Sequence, residues 1–281
     1  MSWASFATYR AAQYALEIEL CFTPQEEESA RRRVALLQRL DSPFLLSPLH
    51  ILPFCPSHIL DVSLMKRAPV RPIFGVCCVF PWIDTALDSA LIRRYDQTTK
   101  MANIQPVLKS VATALDYLHS RGLVHGHVKP SHIFMNKGIL GGFNLLFSAD
   151  SADQVLVGTP FFFAPELFDS PFKTDKSDMF ALGCVALLMS LPHSVLRQHN
   201  VFRGTMAEVV QDGRLAALLS MVDSKQLSDF IFHLLDPNVQ YRYSAKKALS
   251  HPFLQQRASQ QCVQHSQSTV QGVFDHLNHV L

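Results

Sequence analysis

The chain has 281 residues, 48% hydrophobic and 17% charged, which is enough apolar material for a sizeable packed core. Its formal net charge of +2 gives no indication of nucleic-acid binding or of attachment to a membrane surface. No run reaches the ~20 consecutive apolar residues that cross a bilayer. The six cysteines show neither a C-x-x-C pair nor a metal-binding spacing. We therefore expect reduced thiols, no metal site and a cytoplasmic, reducing location.

The first part of the chain predicts strands and one helix. Apolar and polar residues alternate over 14–20, which is the two-residue period of a strand. Thr23 and Glu26 match a T-x-x-E capping box, and Pro24 suits the first helical position. A helix is therefore predicted over 24–40. The short apolar runs that follow are broken by prolines and predict further strands.

The later part of the chain is predicted to be mostly helical. The helical stretches are 85–95, 104–121, 178–190, 207–219, 227–235 and 245–249. This change in pattern predicts a β-rich unit at 1–82, a helical unit at 83–254 and a tail at 255–281. The tail contains an apolar stripe at helical spacing that could bind a partner or pack on the chain itself. Its residues are Val270, Val273, Phe274, Leu277 and Leu281.

Short segments in the helical part carry a resemblance to a known family. They are His125–His132 (H-G-H-V-K-P-S-H), Gly142–Asn144 (G-F-N), Gly158–Pro160 (G-T-P), Ala164–Glu166 (A-P-E), Ser177–Gly183 (S-D-M-F-A-L-G), and Arg242 with Leu249–Phe253. In this order and spacing they resemble the catalytic loop, the D-F-G motif, the activation segment and the large-lobe motifs of the protein kinase family. The resemblance covers 14–254. It implies an α+β, protein-kinase-like bilobal fold with a reduced β-rich N-lobe and a helical C-lobe.

The resemblance also implies structural roles for six residues: His125, Lys129, Phe143, Glu166, Asp178 and Arg242. Glu166 and Arg242 are expected to form a buried ion pair that anchors the activation segment. Asp178 is expected to accept hydrogen bonds from the catalytic-loop backbone. His125 and Phe143 are expected to stack between the lobes, and the retained lysine to be a structural donor.

Three positions of the catalytic region depart from the family pattern. His127 occupies the position of the catalytic aspartate, and Gly142 that of the D-F-G aspartate. His132 replaces the asparagine that binds the second Mg²⁺, an ion that prefers oxygen ligands. The sequence therefore predicts that the base and both metal ligands are lost.

The strand and helix of the N-lobe depart from the pattern as well. The first glycine of the chain is Gly75, so no glycine-rich loop precedes the strand. Glu17 falls where the ATP-binding lysine belongs, and Arg33 where its glutamate partner belongs. A charge-swapped Glu17–Arg33 ion pair is one hypothesis. In the alternative, both side chains are solvated.

These departures predict a catalytically inactive pseudokinase, not an enzyme, with no cofactor and with ATP binding unfavourable. The expected partners are other proteins, in an adaptor or structural role within a larger assembly. One alternative is a nucleotide-binding switch without turnover, which requires a pocket open at Ala15 and Phe134. Another is an atypical kinase with unusual chemistry.

Overall fold

The computed structural model shows an antiparallel sheet followed by a helical region. The residues that it describes are 2–9, 12–54, 74–83, 86–93, 104–135, 138–149, 157–170 and 172–256. The predicted α+β class is confirmed. The predicted unit boundary between 82 and 83 stays a prediction. So does the apolar stripe of the tail, which lies outside the described residues.

The sheet has four strands, and neighbouring strands are antiparallel. They are β1 (Ser2–Tyr9), β2 (Ala12–Cys21), β3 (His50–Phe54) and β4 (Phe74–Pro81), in the spatial order β1-β2-β4-β3. The strand predicted from the alternation is β2, in which Leu16 pairs with Val79 of β4. Since side chains alternate along a strand, Glu17 and Glu19 lie on the same face of the sheet.

Helix α1 (Pro24–Leu37) packs against β2 and β4. Its predicted capping box is confirmed: the Glu26 amide donates to the Thr23 hydroxyl at 3.2 Å, and the Thr23 amide donates to the Glu26 carboxylate at 3.0 Å. The helix ends three residues earlier than the predicted limit of residue 40. The reason is a tightened final turn, in which the amide of Leu40 donates to the carbonyl of Leu37.

The helical region follows β4. Its helices are α2 (Leu87–Arg93), α3 (Ile104–His119), α4 (Asp175–Ser190), α5 (His193–Gln198), α6 (Met206–Gln211), α7 (Arg214–Ser220), α8 (Lys225–Leu234), α9 (Ala245–Leu249) and α10 (Pro252–Gln255). Helix α4 is buried over 177–190 and contacts α3 and α8. Gly183 permits the close approach, because a Cβ there would lie 2.8 Å from a methyl group of Leu235.

Four short strands lie between α3 and α4. Strand β5 (Leu123–Val124) pairs with β8 (Phe147–Ser148), and β6 (Ile133–Phe134) pairs with β7 (Ile139–Leu140). A single 3₁₀ turn at Pro130–His132 lies between β5 and β6, and another at Phe143–Leu145 lies between β7 and β8. These two antiparallel pairings bring segment 125–132 beside segment 142–144.

Two helix predictions need correction. The single helix predicted over 207–219 is two helices, α6 and α7. Gly213 separates them, because its φ of +84° is incompatible with a right-handed helix. Helices α5 and α10 were not predicted. Among the described residues, no helix combines the length and apolarity that a membrane crossing needs.

Candidate functional site

The structure brings Glu166 and Arg242 together at the base of the activation segment. Two guanidinium nitrogens of Arg242 donate to the two carboxylate oxygens of Glu166, at 2.7 and 2.8 Å. The Arg242 side chain has no exposed area, and it also donates to the carbonyls of Asp236 and Lys176. A bidentate pair of this kind fixes both distance and orientation. The pair therefore joins segment 165–168 to the residues before α9.

Asp178, near the start of α4, holds the turn at His125 and Gly126. Its carboxylate accepts the backbone N–H groups of His125 at 2.9 Å and of Gly126 at 2.8 Å. The ring of His119, at the end of α3, lies 2.9 Å from the same carboxylate. Burial raises the pKa of Asp178, but its hydrogen bonds with the His119 ring and the His125 amide outweigh burial, and the pKa is lowered. The buried carboxylate is therefore kept ionised by its partners.

Three histidines of segment 125–132 form a compact group. His125 is fully buried, and its ring meets the edge of Phe143 at a centroid distance of 5.4 Å. The rings of His127 and His132 meet edge to face at 4.5 Å. His132 Nδ1 lies 2.8 Å from the carbonyl of His127, and His125 Nε2 lies 3.0 Å from the carbonyl of Gly141. The structure thus brings together the histidines that the sequence singled out.

Burial keeps this group neutral. Desolvation lowers the pKa of His127 to about 4, and the neighbouring Lys129 charge adds to the effect. Desolvation lowers the pKa of His132 to about 2, with His127 as the next cause. The pKa of His125 is also lowered by burial. At neutral pH, His127 is therefore an uncharged imidazole close to the side chains of Asn144 and Thr159, each 3.4 Å from one of its nitrogens.

Acidification is expected to lower the free energy of unfolding from about pH 6.5 downward. Histidines in the unfolded chain take up protons near that pH. In the folded chain, His127 stays neutral to about pH 4 and His132 to about pH 2. The unfolded state thus binds more protons as the pH falls, and each such histidine costs about 1.4 kcal/mol per pH unit. Urea unfolding at a series of pH values between 7.5 and 5 measures this slope.

The control for this prediction is a pair of histidine variants. His132→Asn removes one buried imidazole, so its stability is expected to depend less steeply on pH than that of the wild type. His50→Asn changes an exposed histidine of β3 and is expected to leave the slope unchanged. Identical slopes for the wild type and His132→Asn would contradict the prediction.

Gly142 and His132 occupy mutually dependent positions. A Cβ at Gly142 would lie 2.3 Å from Cγ of the His132 ring, and Gly142 has a φ of +76°. Residues other than glycine rarely adopt this left-handed backbone conformation. The imidazole of His132 therefore fills the space that a side chain at residue 142 would need. The two departures from the family motifs are one packing arrangement.

Two lysines tie the activation segment to the catalytic loop. Lys173 is 5% exposed, and its ammonium group donates to the carbonyls of Gly126, at 2.7 Å, and of Val157. Burial lowers the pKa of Lys173 to about 8. Lys129, which the sequence analysis expected to be a structural donor, lies 3.4 Å from the hydroxyl of Thr159. Both lysines therefore position segment 157–163.

The ion pair of reversed charge that was hypothesised between β2 and α1 forms, but with a different acidic residue. The guanidinium of Arg33 pairs with Glu19, one step further along the same face of β2 than Glu17. The hypothesis of a Glu17–Arg33 ion pair is therefore wrong in its acid. Arg33 still lowers the pKa of Glu17, but burial and the charge of Glu19 outweigh it, and that pKa is raised. Among the described residues, the Glu17 side chain forms no hydrogen bond.

A cavity of about 510 Å³ lies between the sheet and the histidine group. The alternative of a nucleotide-binding switch requires a pocket that is open at Ala15 and Phe134. Both residues line this cavity. Its other described lining residues are Leu16, Glu17, Leu46, Phe80, Pro81, Trp82, Ile83, Ala86, Asp88, Ser89, Ser131, His132, Gly142 and Asn144. Its volume is within the range of ~300–1,000 Å³ that small-molecule sites occupy.

Comparison with protein families identifies the fold. The model of the protein kinase domain matches residues 77–254, which is well over half of the chain. The chain belongs to the protein kinase family. The match includes the catalytic-loop segment, the activation segment and the large-lobe helices of this kinase domain.

Similar curated proteins are also protein kinases. The serine/threonine-protein kinase Nek4 of Mus musculus is 26% identical over 53% of the chain and 19% of its own length. Nek3 of Oryza sativa is 32% identical over 53% of the chain and 26% of its length, and the Wee1-like protein kinase of the same species is 27% identical over 59% and 31%. The chain thus spans less than a third of the length of these relatives.

These comparisons contradict the prediction that the kinase domain is not an enzyme. The relatives that match it are named as protein kinases, and the match extends through the catalytic region. The prediction assigned no role to Asn144, the last residue of the G-F-N segment, whose amide lies beside His127 and lines the cavity. The alternative of an atypical kinase with unusual chemistry is closer to the comparisons.

The residues that line the cavity fit magnesium and a triphosphate poorly. Neither lysine nor arginine is among the described residues of the lining, and two carboxylates are. No group of three or more His, Cys, Asp or Glu in the described part of the chain could hold a metal ion. Phosphate oxygens placed beside Glu17 would be repelled. For this reason we derive no reaction step through Mg²⁺ and ATP.

Sequence reasoning missed three residues of the site: His119, Lys173 and Glu19. Glu19 could have been found, because the two-residue period of the strand places it on the same face as Glu17. His119 and Lys173 gave no local signal. His119 is separated from Asp178 by 59 positions and Lys173 from Gly126 by 47, so only the tertiary fold brings them together.

Proposed function

We propose that this kinase domain acts as a protein-binding adaptor or structural subunit of a larger assembly. The observation that carries the proposal is a set of exposed aromatic side chains beside the activation segment, called here the phenylalanine face. It consists of Phe168, Phe172 and Phe202, which are 55%, 52% and 46% exposed. Large apolar side chains exposed on neighbouring segments are typical of interaction surfaces.

Ring contacts link the phenylalanine face to the core. Phe202 stacks on Phe161 at a centroid distance of 6.0 Å, and its ring also stacks on His193 at 5.0 Å. Phe168 contacts the buried Phe163 at 6.3 Å. Because these rings are supported by packed neighbours, a partner would meet a largely preformed surface and lose less conformational entropy on binding.

The lysine contacts support the same proposal. Lys173 ties the activation segment at Val157, and Glu166 anchors its other end through Arg242. The segment beside the face is thus held at both ends by groups of the domain itself. A surface held in this way is suited to continuous display to a partner. The relatives are named as protein kinases, which makes a protein the partner class that we propose.

Loss of the phenylalanine face is expected to release protein partners. The double variant Phe168→Ser/Phe202→Ser is compared with Phe232→Ser, which changes a phenylalanine of α8 that is 51% exposed. Aromatic anchors contribute ~2 kcal/mol or more each to many interfaces, so the double variant is expected to recover partners at least tenfold less efficiently. Quantitative mass spectrometry after affinity purification from the native cell measures the recovery.

Two outcomes would contradict the adaptor proposal. One is a double variant that recovers the same proteins as the wild type in the same amounts. The other is equal loss in Phe232→Ser, since that result would show a general response to removal of an exposed aromatic side chain. Circular dichroism of each variant verifies that the fold is retained.

A second candidate function is a ligand-dependent switch. The specific observation that favours it is the cavity of about 510 Å³ between Ala15 and Phe134. A ligand at 100 times its dissociation constant would stabilise the domain by ~2.7 kcal/mol, which a thermal-shift measurement detects. Adenosine is the probe that matches the cavity in size without adding phosphate charge. No shift at saturating adenosine would count against this candidate.

We also propose a cytoplasmic, reducing location. Four cysteines of the described residues are free thiols: Cys21, Cys77, Cys78 and Cys184. Burial raises the pKa of Cys78 to about 12 and of Cys21 to about 11, and it raises that of Cys184 as well. Buried, protonated thiols react slowly, which suits a structural role for these side chains.

A further inference from the structure

The described lining of the cavity between the sheet and the histidine group has a charge opposite to the one that a nucleoside triphosphate requires. Glu17 and Asp88 contribute carboxylates to its lining. His132 contributes an imidazole whose pKa is lowered to about 2 by burial, so it is neutral at physiological pH. No lysine or arginine is among the described lining residues. The described part of the lining therefore carries net negative charge.

Glu17 is the acid best placed to act on a ligand. Its neighbour Glu19 is already paired with Arg33, and among the described residues the Glu17 side chain has no hydrogen-bond donor. Asp88 is partly satisfied, because its carboxylate accepts the backbone N–H of Ser89 at 2.6 Å. Glu17 is half-buried and lines the cavity, and no described residue forms an ion pair with it. A cation in the cavity beside this carboxylate would be attracted more strongly than in bulk water. The carboxylate therefore points to a positively charged ligand group.

The apolar walls of the cavity indicate the kind of ring system that would accompany the charged group of a ligand. Ala15 of β2 and Phe80 of β4 lie on the sheet side, Phe134 lies on the side of the short strands, and Trp82 lies in the connecting segment. Apolar and aromatic walls bind flat ring systems through contact area and stacking. A ring between Ala15 and Phe134 would place a substituent within the region that Glu17 lines.

We propose that this cavity binds flat heteroaromatic molecules that carry a positive charge, in preference to nucleoside triphosphates. The proposal rests on the second candidate function and names the ligand class of that cavity. The ring system is held by the apolar walls and the cation by the Glu17 carboxylate. A triphosphate would place several negative charges beside the same carboxylate, which weakens its binding.

Three acridines with the same ring system and different charges test this proposal on the full chain. 9-Aminoacridine is a cation at pH 7.5, acridine is neutral, and acridine-9-carboxylate is an anion. Isothermal titration calorimetry at low ionic strength is expected to give the tightest binding for the cation and the weakest for the anion. The expected difference is at least roughly tenfold, from one charge pair in partly screened surroundings. ATP is expected to bind more weakly than adenosine, with or without Mg²⁺.

A matched pair of variants assigns the preference to Glu17. Glu17→Gln removes the carboxylate from the cavity, and Glu28→Gln makes the same change on the exposed face of α1, where the Glu28 side chain is 57% exposed. Glu17→Gln is expected to reduce the cation-to-anion affinity ratio roughly tenfold. Glu28→Gln is expected to leave the ratio unchanged. The wild-type charge series decides the selectivity even if Glu17→Gln does not fold.

The outcomes separate this proposal from the two functions above. Anion binding as tight as cation binding, or an unchanged ratio in Glu17→Gln, overturns the charge preference but leaves a ligand site. If neither the acridines nor adenosine bind, both the charge preference and the ligand-dependent switch are wrong. The adaptor proposal is decided separately, by the variants of the phenylalanine face.

Discussion

Replacing Glu166 by glutamine is expected to lower the free energy of unfolding by about 3 kcal/mol or more. The substitution keeps the shape of the side chain and removes its charge. It leaves the Arg242 guanidinium, which has no exposed side-chain area, without a counter-charge. Removing one partner of a buried ion pair typically costs about 3–5 kcal/mol. Equilibrium urea unfolding measures the change.

Glu28→Gln is the control for this prediction. Glu28 pairs with Arg32 on α1 at 2.9 Å, and both side chains are more than half exposed. Exposed pairs of this kind contribute about 0–1 kcal/mol, so the isosteric change there is expected to be nearly neutral. A loss below 1 kcal/mol in Glu166→Gln would show that the pair does not anchor the activation segment.

Gly142→Ala is expected to destabilise the domain much more than Gly122→Ala. Both glycines have positive φ, +76° and +67°, so alanine meets a similar backbone penalty at each position, about 1–2 kcal/mol. They differ in their surroundings. A Cβ at Gly122 meets no atom within 4 Å, whereas a Cβ at Gly142 lies 2.3 Å from the His132 ring. The extra cost at Gly142, expected to be at least about 2 kcal/mol, therefore measures the steric conflict alone.

A double-mutant cycle tests the dependence on His132. In a His132→Ala background the ring is absent, so Gly142→Ala is expected to cost no more than Gly122→Ala in the wild type. The coupling energy between the two substitutions is then roughly 2 kcal/mol, within the range seen for side chains in contact. Additive effects of Gly142→Ala and His132→Ala would show that the ring does not determine the residue at position 142.

The same geometry explains why family motifs should be interpreted as groups. Read one by one, Gly142 and His132 are two separate losses of metal ligands. In the structure the two changes depend on each other. The His132 ring occupies the space beside Gly142, whose backbone is in the left-handed conformation. Restoring an aspartate at position 142 therefore requires a change at His132 as well.

Local features were predicted well because they depend on residues close in sequence. The capping box of α1 needs only Thr23 and Glu26, three positions apart, and the strand β2 follows from its alternation. The kinase-like fold followed from motif order and spacing. The helix boundary at Gly213 was missed, although glycine is the residue type that ends a helix pattern most often.

The fold class, the capped helix, the α4 core helix and the positions that depart from the family motifs were all predictable from the order of the amino acids. The tertiary structure alone decided which acid pairs with Arg33, since Glu17 and Glu19 share one strand face and the placement of α1 selects between them. It also decided that a cavity remains open between Ala15 and Phe134. The physical reason is the range of the interactions: caps and alternation depend on neighbours within a few residues, whereas ion-pair choice and cavity volume depend on how separate elements pack.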